Sequence, residues 1–299
     1  MSQFDLVILG GGSGGYAAAL RGAQLGLSVA LIEADKVGGT CLHRGCIPTK
    51  ALLHSAEIAD GAREGSHFGV KSTFDGIDMA GVNAYKDGVI NKLHKGLSGL
   101  VKSRNITYIE GYGKLVAKDT VEVNGTRYTG KNVILATGSY AKTLPGLEID
   151  GEKIITSDHG TKMSYVPKSV IVLGGGVIGC EFASVWKSFG AEVTIIEGLP
   201  HLIALEDESS SKQLERAFRK RGINFELGVR FQSAVKTADG VTVTLEDGKS
   251  FSAEILMVSV GRGPVSANLG YEEQGIAMDR GYVLVDDKCR TNVPGIWAV

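Results

Sequence analysis

Leu9-Gly10-Gly11-Gly12-Ser13-Gly14-Gly15 and Leu173-Gly174-Gly175-Gly176-Val177-Ile178-Gly179 are one motif written twice in a chain of 299 residues. The match continues in register. Leu25-Gly-Leu-Ser-Val29 answers Phe189-Gly-Ala-Glu-Val193, and Leu31-Ile-Glu33 answers Ile195-Ile-Glu197. Each copy follows a short apolar run, Leu6 to Leu9 or Val170 to Leu173, of the kind that forms a parallel strand buried on both faces. Each precedes a helix, expected at about 14–25 and 178–189 and closed by Gly26 or Gly190. Strand, glycine turn, helix and strand, repeated, predict an α/β fold. Its parts are two Rossmann-like dinucleotide-binding domains of the three-layer type with β-meander insertions.

The rest of the chain fits around this repeat. Helices are expected after Pro48, over 83–104 and over 207–221, and short strands around Tyr108, 120–123, Arg127 and 133–136. Val241-Thr-Val-Thr-Leu245 alternates as a half-exposed strand. Leu144-Pro-Gly146 marks a domain boundary, giving expected domains 1–146, 147–266 and a segment 267–299 that starts a return to the first. Forty-two residues are glycine, roughly twice the ordinary share of about 7%, and many sit in the two motifs. With 43% hydrophobic residues, 22% charged residues and a net charge of −1, no basic field points to nucleic acid or anionic lipid. The N-terminus has no leader pattern, and no apolar run is long enough to span a bilayer, so a cytoplasmic protein is expected. No metal site is expected.

The spacing of each motif suits a dinucleotide. Gly10 and Gly174 make the tight turn, Gly12 and Gly176 let backbone approach a pyrophosphate, and Gly15 and Gly179 let helix pack closely on strand. Glu33 and Glu197, at the ends of the next strands, are placed to bond adenosine ribose hydroxyls. At the second site a carboxylate repels a 2′-phosphate, and Glu197-Gly-Leu-Pro-His201 offers no arginine to hold one. That favours NAD over NADP.

Gly38-Gly39-Thr40-Cys41-Leu-His-Arg-Gly-Cys46-Ile-Pro-Thr-Lys50 carries the redox chemistry. Two cysteines four residues apart can close a disulfide in a small ring. Pro48 suits a helix's first turn, which puts Cys46 at the helix's positive end, a position that favours a thiolate. Lys50, four residues on, shares that helix face. A structural disulfide and a pair of buried free thiols are the other readings. Compartment disfavours the first, and spacing disfavours the second. Cys180 and Cys289 stand alone and read as free packing thiols.

Taken together, these residues resemble the flavoprotein disulfide reductases over the whole chain. The motifs are Gly10 through Tyr16, Gly39 through Lys50, Ala136-Thr-Gly-Ser139, Gly174 through Glu181, Val260-Gly-Arg262 and Cys289-Arg-Thr-Asn-Val-Pro-Gly295. Within the family, Ser13-Gly-Gly-Tyr16, Ala23-Gln-Leu-Gly26, Ile47-Pro-Thr-Lys50 and Glu197 favour the members that oxidise a protein-bound dihydrolipoyl dithiol. The resemblance assigns FAD to the first repeat and NAD to the second. It makes Cys41 the thiol that exchanges with substrate and Cys46 the thiol against the flavin. Lys50 is placed near the flavin's reactive edge and paired with Glu181, which by itself reads as an ordinary helix acid. Gly39, Thr40, Gly113, Thr137, Gly138 and Ser139 map onto FAD contacts, and Gly261 onto an NAD contact. Phe231 maps onto a backbone contact to NAD and reads equally as core. The implied partner is the lipoyl domain of a 2-oxoacid dehydrogenase or glycine cleavage complex, and the implied whole protein is a homodimer.

His43-Arg44 and Val265 depart from the family's usual residues, and Arg44 reads equally as a solvated surface charge. The family's pattern continues past Gly295-Ile-Trp-Ala-Val299 with a glycine–aspartate that binds the flavin's ribityl chain. A dimerisation domain then supplies a histidine base. The resemblance therefore implies that these residues are part of a longer enzyme. Its rivals are a related glutathione-type or mercuric-ion reductase, a non-enzymatic dinucleotide-binding module, and a Rossmann dehydrogenase with one cofactor.

Overall fold

The computed structural model describes residues 2–299 and divides into two compact units that are not contiguous in sequence. The first comprises residues up to His43 with Ile90–Tyr140 and Gly263–Val299; the second comprises Arg44–Val89 and Ala141–Arg262.

The first unit is built on a seven-stranded sheet. Thr107–Glu110, Val29–Glu33, Ser2–Leu9 and Thr126–Leu135 lie side by side and parallel. Gly113–Ala117 and Thr120–Val123 fold back antiparallel on the start of Thr126–Leu135, forming a meander. Ile296–Ala298 pairs in parallel with the other half of that strand. Alternation along Ser2–Leu9 supplies both faces. Leu6 and Ile8 join Ala19, Val29, Leu31, Val101 and Ile106 on the helix side, while Val7 and Leu9 join Ile32, Leu115, Val121 and Val133 on the meander side. Helix, sheet and meander make three layers.

The second unit repeats the plan. Asn224–Leu227, Glu192–Glu197, Ser169–Leu173, Ile255–Val258 and Ile154–Thr156 form a parallel sheet in that order. Val170, Val172 and Ile195 face a helical layer of Phe182, Val185 and Trp186, joined by Leu52 and Ala56 of the helix Cys46–Glu64. Ile171, Leu173 and Ile196 face a second meander, Phe231–Lys236, Val241–Leu245 and Ser250–Ala253. Burying each of these large apolar side chains is worth about 1.5–3 kcal/mol. The register repeats too: Leu9 pairs with Ile32 as Leu173 pairs with Ile196.

The motif helices run over Ser13–Gln24 and Val177–Phe189, each starting one residue before its sequence expectation. The helix expected after Pro48 begins at Cys46, because a proline in the first turn forfeits no intrahelical bond. The helix expected over 83–104 starts earlier and ends one residue sooner, running over Met79–Ser103. The helix expected over 207–221 spans Glu208–Lys220, with Asp207 as its cap, accepting from the Ser209 N–H at 2.8 Å. Among the described residues, no helix is long and apolar enough to cross a membrane.

Candidate functional site

The two glycine turns are glycine by steric necessity. A Cβ on Gly10 would meet the Ala136 carbonyl oxygen at 2.1 Å, and one on Gly15 would meet the Gly10 oxygen at 1.8 Å. The second turn reproduces this: a Cβ on Gly174 would meet Ser259 O at 2.5 Å, and one on Gly179 would meet Gly174 O at 1.9 Å. Gly10 and Gly174 also sit at φ +107° and +106°, where only glycine is unstrained.

The hydrogen bonds around the turns repeat as well. Gly11 N–H donates to Glu33 Oε2 at 2.6 Å, and Gly175 N–H donates to Glu197 Oε2 at 2.6 Å. The other oxygen of each acid accepts from the residue two further on, Asp35 or Leu199, at 2.8 Å. Both carboxylates are thereby fixed beside the turns. The helices that follow are capped by Gly12 and Gly176 with no side-chain acceptor and no acid in the first turn, so their N-terminal N–H groups suit an anion.

Where a ligand would approach, the turns are open. A Cβ on Gly12 would meet only Gly39 Cα, at 3.9 Å, and one on Gly176 would meet nothing within 4 Å. Gly174, Gly176, Glu197, Phe231 and Gly261 line one cleft of about 610 Å³, with Leu199, Ile203 and Val229 completing its walls. Gly179 lies beneath, in the packing contact. Phe231, read from the sequence equally as core, packs against the meander-side core while also lining this cleft. These residues fit a dinucleotide.

In the first unit, Gly39 brings its turn against Gly12, and a Cβ there would stand 2.6 Å from Gly12 Cα. Thr40 follows in the short helix Gly39–His43. Gly113, buried, opens a meander strand under Leu9, whose Cδ1 a Cβ would meet at 2.5 Å. Thr137, Gly138 and Ser139 leave the end of Thr126–Leu135 and line a cleft of about 380 Å³. Gly138, at φ +77°, has open space about its α-carbon. A glycine cradle with one open side fits FAD as the second cradle fits NAD.

Cys41 and Cys46 are disulfide-bonded. Cys46 is exposed and is the first residue of its helix, whose cap, Gly45, supplies no side-chain acceptor. Thr49 ties that turn down, donating its hydroxyl to Gly45 O at 2.6 Å. One turn along the helix, Lys50 Nζ donates to Glu181 Oε1 at 2.5 Å. Glu181, two residues past Gly179, thus links the cysteine helix to the helix of the second glycine turn.

The two remaining cysteines are free, but only Cys180 packs as expected. Its thiol donates to Gly175 O at 3.3 Å, and burial, with the charges of Glu197 and Glu181, pushes it up to about 12. Cys289 is exposed at φ +61°. The expectation of a packed thiol is corrected there, because its segment lies on the surface.

Ser259 was not singled out by sequence, yet its hydroxyl bonds Gly174 O at 2.9 Å and Leu173 O at 3.1 Å under the second turn. The repeat itself could have revealed it, since Ser259-Val-Gly261 stands to Gly174 as Ala136-Thr-Gly138 stands to Gly10.

Two dinucleotide cradles with a disulfide on a helix N-terminus define a two-nucleotide disulfide oxidoreductase. The chain belongs to the pyridine nucleotide-disulphide oxidoreductase family, whose model matches residues 4–299. Its cofactors are FAD and NAD(H), and its members are oxidoreductases. The chain is 40% identical to dihydrolipoyl dehydrogenase of Bacillus subtilis over its whole length, covering 67% of that protein. It is 41% identical to the Cupriavidus necator dihydrolipoyl dehydrogenase, over 99% of this chain and 67% of the relative. It therefore spans about two thirds of the length of these curated relatives. Among solved structures, LpdA from Mycobacterium tuberculosis superposes with a TM-score of 0.91 at 28% identity, covering all of this chain and 67% of that one. The HOCl-induced flavoprotein disulfide reductase RclA of Escherichia coli gives 0.85 at 28%, over 99% and 65%.

Proposed function

We propose that this chain carries the two nucleotide-binding domains and the redox disulfide of a dihydrolipoyl dehydrogenase. The observation that carries the reading is the Cys41–Cys46 disulfide, at a helix start, in a chain about 40% identical to such enzymes. By ligand, residues 1–146 bind FAD, 147–266 bind NAD, and 267–299 begin the return to the FAD domain. Gly10, Gly12, Gly15, Glu33, Gly39, Thr40, Lys50, Gly113 and Thr137 through Ser139 hold the flavin nucleotide. Gly174, Gly176, Gly179, Glu197, Phe231 and Gly261 hold NAD.

A thiolate of the substrate dithiol attacks Cys41 Sγ, the Cys41–Cys46 bond breaks, and Cys46 departs as a thiolate. The second substrate thiol then displaces Cys41 by attacking the substrate sulfur, releasing the cyclic substrate disulfide and two reduced cysteines. That Cys41 reacts first follows the family resemblance rather than accessibility, since Cys46 is the more exposed of the two. Helix N-terminal N–H groups and the Lys50 ammonium, oriented by Glu181, stabilise the charge left on Cys46. FAD and NAD, when bound, supply the two-electron acceptors that return the cysteines to the disulfide. The substrate comes on the lipoyl domain of a 2-oxoacid dehydrogenase or glycine cleavage complex, and the whole protein works as a homodimer in the cytoplasm.

The test is Cys46→Ser in the full-length protein. It abolishes oxidation of dihydrolipoamide by NAD⁺, because the exchange has no leaving thiolate. Retained turnover would remove the disulfide from the reaction. A preference for NADPH over NADH would move the assignment to another reductase of the family.

A further inference from the structure

Tyr271 is 2% exposed, its ring set in the meander-side core of the first unit. Its hydroxyl stands 3.1 Å from Thr137 Oγ1. Thr137 Oγ1 in turn donates to the Val265 carbonyl. A carbonyl can only accept, so the single hydroxyl proton of Thr137 is committed to Val265, and it is the phenol that donates to Thr137. Burial pushes the phenol up to about 12, which keeps that proton in place at any working pH. A reciprocal backbone bond, Val265 N–H to Gly138 O at 3.0 Å, closes the arrangement. Thr137, Gly138, Val265 and Tyr271 all line the 380 Å³ cleft.

We propose that Tyr271 is a positioning residue of the flavin-nucleotide site, its hydroxyl holding Thr137 against Val265 and so fixing the Thr137-Gly138 backbone that faces the cofactor. The inference rests on the reading that the first unit binds FAD. Core packing does not call for the hydroxyl, since phenylalanine would fill the same space. The oxygen serves the hydrogen bond alone. Thr137 spends its hydroxyl proton internally, so its side chain has no proton left to donate to the nucleotide. Val265 takes part through its carbonyl and N–H, which any residue other than proline would supply.

The test compares full-length wild type with Tyr271→Phe, Thr137→Val, Thr137→Ser and the double variant Tyr271→Phe/Thr137→Val. The readouts are the rate of FAD release, followed by flavin fluorescence, the visible spectrum of bound flavin, and unfolding of the apoprotein by circular dichroism. Tyr271→Phe should speed FAD release by about five- to tenfold, the scale of one lost neutral hydrogen bond, and shift the flavin bands. Thr137→Val should do at least as much, the double variant no more than Thr137→Val, and Thr137→Ser should restore slow release. Unchanged release from Tyr271→Phe, additive effects in the double variant, or a loss matched by the apoprotein's own destabilisation would overturn the proposal. A wild-type protein that takes up no FAD would overturn the reading beneath it instead.

Discussion

A thiol reacts as its thiolate, so burial and pKa decide which cysteines a reagent can find. Cys41 and Cys46 are tied in the disulfide, and Cys180 is 5% exposed with its thiol raised to about 12. Cys289 alone is both free and exposed. The 299-residue chain, native and unreduced at pH 8, should therefore give one fast-reacting thiol with Ellman's reagent, lost in Cys289→Ser. Unfolding in guanidinium should raise the count to two. A fast thiol in native Cys289→Ser would contradict the enclosure of Cys180. At this scale the sequence was legible where chemistry is local. The cysteine pair and the strand-end acids Glu33 and Glu197 each declare themselves by spacing within one motif. Tyr271 did not, because its partner Thr137 lies 134 residues away in sequence. The exposure of Cys289 was equally hidden, since its neighbours carry no period that assigns it a face.

The strand–turn–helix element turns on the difference between glycines that are crowded and glycines that are open. Gly179 is crowded by backbone, the Gly174 oxygen standing 1.9 Å from where a Cβ would go. Helix Val177–Phe189 would have to leave the strand Ser169–Leu173, and with it the core contacts of Phe182, Val185 and Trp186. Gly179→Ala should cost about 3 kcal/mol, the upper range for overpacking a tight contact, read as a lower denaturant midpoint. A midpoint equal to wild type would mean the turn has slack that its geometry denies. The glycine periodicity gave this element away because both the spacing and the flanking apolar runs are local. The short helix Gly39–His43 was invisible for the opposite reason. It begins at the second of two adjacent glycines, Gly38 and Gly39 at φ +111° and +58°, residues that read as loop whatever comes after them. The start of Met79–Ser103 was masked likewise, Gly81 interrupting its first turn.

At the scale of the whole molecule, two units repeat one plan, and each encloses its own cradle with its own cores. No periodicity could show that residues 44–89 pack with the second unit. That follows from Leu52, Ala56 and Met79 joining Trp186 in one core, contacts more than 100 residues apart in sequence. Separate cores predict separable defects. Gly176 is the place to test this, because it sits in extended backbone at φ −71° with nothing within 4 Å of its missing side chain. Alanine is therefore tolerated by the fold, and its methyl occupies only the space through which a pyrophosphate approaches. Gly176→Ala in the full-length protein should keep wild-type stability, its full complement of FAD and reduction of the Cys41–Cys46 disulfide by dihydrolipoamide. Its KM for NADH should rise at least about tenfold, the 1.4 kcal/mol that a modest steric clash supplies. Stopped-flow traces of the two half-reactions, taken separately, measure this. If both slow together, the cradles are not independent and the second turn helps to hold the first unit's cofactor. If only the nucleotide half-reaction slows, the duplicated motif is two binding sites serving one disulfide.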